Sequence, residues 1–125
     1  MIRATKQQKR AQEAYKCLLP EKKVGDEFRQ FAKKFPALVH SCGLAQAVAF
    51  AQSKDKNAYL DDLASVMGIS NGQELAEVSR STVDLVEYQQ KTQEAIECAN
   101  WIKRYAEATE EVSSTSAASS SPEKE

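Results

Sequence analysis

Apolar residues recur along this chain at helical intervals, and no stretch sustains the two-residue alternation of a strand. Ala4, Ala11, Ala14, Tyr15 and Leu18 share one face and predict a first helix over 4–18. Arg3, Lys6, Lys9, Arg10 and Lys16 spread over its opposite side, and Pro20 ends it. A second helix starts near Gly25 and Asp26, with Asp26 as N-cap, and turns Phe28, Phe31, Ala32 and Phe35 inward. Pro36, which has no backbone N–H to donate, is expected to stop or kink it. A short turn through Leu38 and Val39 then leads to Gly43 and a third helix. Residues 44–51 are apolar all round except Gln46, which predicts the central, most buried element.

Asp55 or Asn57 can cap the next helix, whose stripe is Tyr59, Leu60, Leu63, Ala64 and Met67, with Gly68 as its stop. A short helix over 73–78 follows. Ser81, with Asp84 three residues on, opens the last and longest helix, which extends to about Ala108. Ala95, Ala99, Ile102 and Ala106 line its core face, widened by Cys98 and Tyr105. Gln93, Glu97, Asn100 and Arg104 line its polar face. The pattern predicts an all-α fold: a compact single-domain bundle of five or six helices over 1–111, its core gathered around Leu44, Val48, Phe50 and Trp101. Residues 112–125 are Ser-rich, lack periodic apolar positions and are expected to form a disordered C-terminal tail.

At 125 residues the chain suffices for one helical core. Its longest apolar run is far short of the roughly 20 residues that span a bilayer, and its first residues lack the apolar segment of a secretory signal. No membrane association is expected. Cys17, Cys42 and Cys98 are odd in number and widely spaced, which fits a reduced, cytoplasmic protein better than a disulfide framework. The net charge of −1 hides an asymmetry. Residues 1–34 hold ten bases and four acids, a balance of +6, so the remaining 91 residues carry −7. Such a division marks an electrostatic face or a solvated charged helix.

Candidate chemistry is sparse. His40 and Cys42 stand two apart, which on a helix turns them to nearly opposite sides, and no second pair lies at zinc spacing. Cys17 and Cys98 read as small core hydrophobes. Gly43 lacks the companions of a phosphate loop. The adjacent carboxylates Asp26–Glu27, Asp61–Asp62 and Glu110–Glu111 cannot face one another from a single helix. No nucleophile has an evident base, so no enzyme, cofactor, metal or small-molecule substrate is expected. Nor does the sequence display an aromatic stacking platform with basic flanks. Lys103 and Arg104 stay open between two readings: caps on the helix C-terminal dipole pairing with Glu107, or phosphate contacts on a rigid helix.

Two blocks resemble a known family. Lys33-Lys34-Phe35-Pro36, then Gly43-Leu44-Ala45-Gln46-Ala47 with Phe50, form the first. Ala95-Ile96 and Asn100-Trp101-Ile102-Lys103-Arg104-Tyr105-Ala106 form the second, and Gln8-Lys9-Arg10-Ala11 is similar to a basic first helix. In that order they resemble the small, all-helical subunit of type III-B CRISPR RNA-silencing effector complexes, the Cmr small subunit. The likeness covers most of residues 5–108. It departs where members often carry Asn before the glycine, since this chain has Ser41-Cys42 there. The resemblance implies a non-catalytic subunit that stacks in several copies beside other subunits and helps to hold guide RNA and target RNA. It suggests Lys9, Arg10, Lys16, Lys33, Lys34, Lys103 and Arg104 as backbone contacts. The competing expectation is a helical protein–protein adaptor that touches no nucleic acid.

Overall fold

Thr5 starts the first helix through a capping box. Its hydroxyl accepts from the Gln8 N–H (3.0 Å), and the Gln8 side chain accepts from the Thr5 N–H (2.8 Å). A computed structural model describes residues 5–18 and 25–120, with side chains as far as Thr109. Ala4, Pro20, Lys22 and Lys23 lie outside the described residues. Six helices follow in order: α1 (Lys6–Lys16), α2 (Asp26–Cys42), α3 (Leu44–Ser53), α4 (Asn57–Met67), α5 (Gly72–Ser81) and α6 (Leu85–Ser120). Among the described residues there is no strand, and the all-α bundle read from the sequence is the fold.

The order of burial differs from the sequence reading. α6 is the centre: it packs along α1, α2 and α4 and touches α3, while α5 closes the far side against α3 and α4. Ala95, Cys98, Ala99, Ile102 and Ala106 are all fully buried along α6. α3 is one-sided instead. Leu44, Ala47, Val48 and Ala51 are buried, but Ala49 and Phe50 face solvent, Phe50 at 43% exposure. A run apolar on all sides cannot report which side has a neighbour, and α3, at ten residues, is too short to be surrounded. Trp101 is only half buried, because its indole N–H reaches the Gln7 side chain (2.8 Å) at the rim of the core.

α2 passes through Pro36 and takes in Leu38 and Val39, where the sequence predicts a turn. Proline removes the bond to the Ala32 carbonyl and typically costs about 3 kcal/mol in a helix interior. Here Phe31, Ala32, Phe35, Pro36 and Val39 are all buried, and that packing carries the helix through. Its real stop is Gly43, at φ +88°, where a Cβ would lie 3.1 Å from the Tyr88 hydroxyl. That hydroxyl accepts from the Ala45 N–H (3.0 Å), so the corner between α2 and α3 is pinned to α6.

Three caps also differ from expectation. Gly25, not Asp26, holds the N-cap of α2, with Asp26 and Glu27 in its first turn, where their charge complements the positive end of the helix dipole. Lys56 holds that position for α4, and Asp55 instead takes a positive φ of 59° in the preceding turn. Asp84, rather than Ser81, caps α6 by accepting from the Glu87 N–H (3.1 Å), and Ser81 ends α5. Gly68 stops α4 as expected, with a left-handed backbone. At Gly72 any Cβ would sit 2.8 Å from the Leu60 Cβ, so only glycine lets α5 begin this close to α4. Its N–H donates to Asp61 (2.7 Å). Phe31, Phe35 and Tyr59 form a ring cluster with centroids 5.1 to 5.5 Å apart, and burial pushes the Tyr59 hydroxyl well above its usual pKa.

The backbone of α6 stays helical beyond Ala108 as far as Ser120, a stretch of Ala, Ser, Thr, Glu and Val without a proline or glycine. The last side chain in the described core is Ala106. Two expectations test this architecture. Ala47→Glu would place an uncompensated charge between fully buried neighbours and should cost about 3 kcal/mol or more, read by chemical denaturation. Deleting residues 113–125 should leave the melting temperature unchanged, since the packed domain is proposed to end near residue 111.

Candidate nucleic-acid interface

The seven bases singled out from the sequence fall on three helices: Lys9, Arg10 and Lys16 on α1, Lys33 and Lys34 on α2, Lys103 and Arg104 on α6. Arg10 stands apart. It is 8% exposed, and its guanidinium meets the Glu97 carboxylate of α6 at 2.6 Å. The sequence reading sets it on the solvent side with Lys9. Helical geometry explains the difference, because Arg10 shares its face with Ala14 and Cys17, both buried. Arg10 is therefore a strap between α1 and α6, engaged before any ligand arrives.

Lys9 and Lys16 remain exposed, two turns apart on α1. Lys16 also pairs with Glu13 at 3.2 Å, an exposed contact that holds it weakly. Lys33 and Lys103 are brought together by the way α2 meets α6. The Arg29 guanidinium donates to the Ala106 carbonyl (2.9 Å) and to the Thr109 hydroxyl, while Val39 and His40 share a small cavity with Thr92, Gln93 and Ile96. The two helices are thus antiparallel. One turn onward from Arg29 is Lys33, and about one turn back from Ala106 is Lys103, so the two lysines share a level of this seam.

Tyr15 of α1 and Tyr105 of α6 meet edge to face with centroids 5.4 Å apart, which brings the α1 end carrying Lys16 beside the same turn of α6. Arg104 points outward from α6, opposite the buried Ile102 and Ala106. Arg104, Lys103 and Lys33 therefore form one transverse band across the α6–α2 seam, whereas Lys16, the residue after Tyr15, turns away from α6 and pairs with Glu13, whose carboxylate also reaches Ser65 of α4. Lys9 lies farther along α1. Lys34 turns aside into the groove between α2 and α3. Because α6 runs on past Ala108, Lys103 and Arg104 are more than a turn from its end, beyond the reach of its terminal dipole.

The structure also assembles what no single segment displays. Trp101 stacks against Tyr105 (centroids 6.1 Å, planes 21° apart), and Tyr15 joins from the other helix, so an aromatic cluster borders the band. The sequence offered no signal for it, because Tyr15 and Trp101 are 86 positions apart. A second feature escaped the sequence reading: an open groove of about 850 Å³ between α2 and α3, with Phe31, Phe35, Leu38 and Phe50 on its apolar walls. The Lys54 ammonium lies 5.7 Å from the Phe50 ring centre. Phe50 and Lys54, one turn apart, were the available clue.

Among the described residues no three His, Cys, Asp or Glu side chains converge on a point that could hold a metal ion. His40 and Cys42 are exposed near the end of α2. Cys17 and Cys98 are buried as expected, and burial raises the Cys98 thiol to about 11. No described helix is long and apolar enough to cross a membrane.

Comparison with known proteins adds to this geometry. Residues 6–109 match the family described as CRISPR-associated protein (Cas_Cmr5). Over 85 residues the chain is 42% identical to the CRISPR system Cmr subunit Cmr5 of Thermus thermophilus, a span of 66% of this chain and 74% of that protein. The fold is similar to the crystal structure of a CRISPR-associated Cmr5 family protein from the same organism. The TM-score is 0.76 at 38% identity, over 84% of this chain and 97% of that one.

The strap gives a direct expectation. Arg10→Ala leaves Glu97 without its partner, but Glu97 is 40% exposed and stays hydrated. The destabilisation should therefore be about 1–2 kcal/mol, less than for a fully buried pair. Equilibrium unfolding measures it, and Arg10→Ala/Glu97→Ala should be nearer the wild type than the sum of the single changes.

Proposed function

The chain belongs to the Cmr5 family of CRISPR-associated proteins, and from that premise we propose that it is a non-catalytic structural subunit of a type III-B (Cmr) antiviral effector complex in the cytoplasm. Several copies stack along the complex beside its other subunits, and each touches the phosphate backbone of guide or target RNA. What supports the RNA contact is the band of Arg104, Lys103 and Lys33 across the α6–α2 seam, with Lys16 exposed nearby on α1. Such a row suits a polyanion whose sequence is read elsewhere by base pairing, with protein reading charge and helix shape. Lys9 and Lys34 extend the positive surface to either side, and Arg10 serves the band by fixing α1 against α6.

Each module needs only weak affinity, because neighbouring copies held on one assembly act at high effective concentration. The burial of Ala95, Cys98, Ala99, Ile102 and Ala106 supports the non-catalytic reading, since the stretch of α6 that carries the band is built for packing.

The test belongs in the assembled complex. Lys103→Ala/Arg104→Ala, with folding verified by circular dichroism, should weaken target-RNA binding equally for unrelated guides. Each phosphate left without its cation should lower the slope of log affinity against log salt by about 0.7 to 0.9, so the double substitution should lower it by about 1.4 to 1.8. Normal assembly with wild-type affinity and slope would remove the RNA contact and leave a protein–protein adaptor.

A further inference from the structure

We propose that the aromatic seam between α1 and α6, formed by Tyr15, Trp101 and Tyr105, is a stacking site for an unpaired nucleobase of the guide or target RNA. The inference rests on the RNA-contact reading above and adds a nucleobase to its phosphates.

Three rings meet along this seam. Trp101 and Tyr105, one turn apart on α6, lie nearly parallel with planes 21° apart, and Tyr15 of α1 meets Tyr105 edge to face. The cluster is not sealed. Tyr15 is 45% exposed, and Trp101 and Tyr105 are half-buried. Two contacts hold the rings in place. The indole N–H of Trp101 donates to Gln7 of α1 at 2.8 Å, and the Arg10–Glu97 strap clamps the same two helices. A ring that is already fixed gives up little freedom when a nucleobase settles on it. Proteins hold single-stranded RNA by such stacking, which tolerates any sequence because every nucleobase has a π-face.

Charge brings a strand to this place. Arg104 stands three positions after Trp101 and next to Tyr105, so it adjoins the seam on its outward side while also belonging to the band. The carboxylate one turn before Trp101 is Glu97, and Arg10 neutralises it. Lys9 and Lys16 remain exposed on α1. A backbone lying along Lys33, Lys103 and Arg104 leads directly to the rings beside Arg104. Paired nucleobases stay inside the guide–target helix, so the seam takes one that is unpaired. The two kinds of contact are separable, because a phosphate contact releases counterions and a stacked nucleobase does not.

The experiment uses the assembled effector complex with 5-iodouridine placed at successive positions of the guide or, in a second series, of the target RNA, the complement changed to match. Long-wavelength ultraviolet light joins this nucleobase to an aromatic side chain stacked on it, and mass spectrometry of the cross-linked peptides names the residue. The expected result is an adduct on Tyr15 or Trp101, and the series that gives it tells guide from target. Tyr15→Leu, which keeps an apolar side chain against Tyr105, should weaken RNA binding about tenfold while the slope of log affinity against log salt stays at the wild-type value. Tyr15→Phe, which keeps the ring, should bind as the wild type does. No adduct on either ring in either series, or wild-type affinity in Tyr15→Leu, would overturn the stacking site and leave the proposed function standing. No adduct together with unchanged affinity and slope in Lys103→Ala/Arg104→Ala would overturn both.

Discussion

How closely α6 can be approached governs the rest of the molecule. Ala95, Ala99 and Ala106 put small, helix-favouring side chains on one stripe around the single large Ile102, which lets three helices pack against α6. Larger side chains then come from the partners: Phe35 and Val39 from α2, Leu18 at the end of α1, Leu60 and Leu63 from α4. Small residues on the hub leave room for large ones on the spokes. The same closeness lets the Arg29 side chain reach a backbone carbonyl of α6 and puts Arg10 within reach of Glu97.

That arrangement sorts the basic residues into two populations. Arg10 and Arg29 are committed to the fold: each crosses to α6, and each is shielded by the helix it joins. Lys9, Lys16, Lys34 and Arg104 stay in water, and the antiparallel seam adds Lys33 and Lys103 at half-buried positions. The charge imbalance visible in the composition is therefore partly structural adhesive and partly surface field. Both straps are arginines, whose planar fork serves fixed, directional bonds.

Helix periodicity makes most of the fold legible. The apolar faces of α2, α4 and α6 can be read nearly residue for residue, since each alternates with polar positions that mark its solvent side. The errors have a common origin in what one helix cannot report about its neighbours. α3 has apolar residues on every side, so its exposed flank at Ala49 and Phe50 is invisible until the absence of a packed helix there is known. Pro36 has a local penalty that burial on α6 outweighs, and that burial is a tertiary fact. Arg10 carries its own warning, because counting four and seven residues onward leads to two buried positions. The band of bases needs the pairing of α2 with α6 to be seen, although each of its members can be named from the sequence.

The three cysteines differ in a way that has a practical side. Cys17 and Cys98 are sealed in the core, and the raised pKa of Cys98 keeps its sulfur protonated and unreactive at neutral pH. Cys42 sits in water at the last residue of α2. Every folded copy thus presents one nucleophilic sulfur, away from the transverse band. A maleimide dye on native protein becomes a stoichiometric tally, in which the number of bleaching steps from a single immobilised particle equals the number of copies it contains.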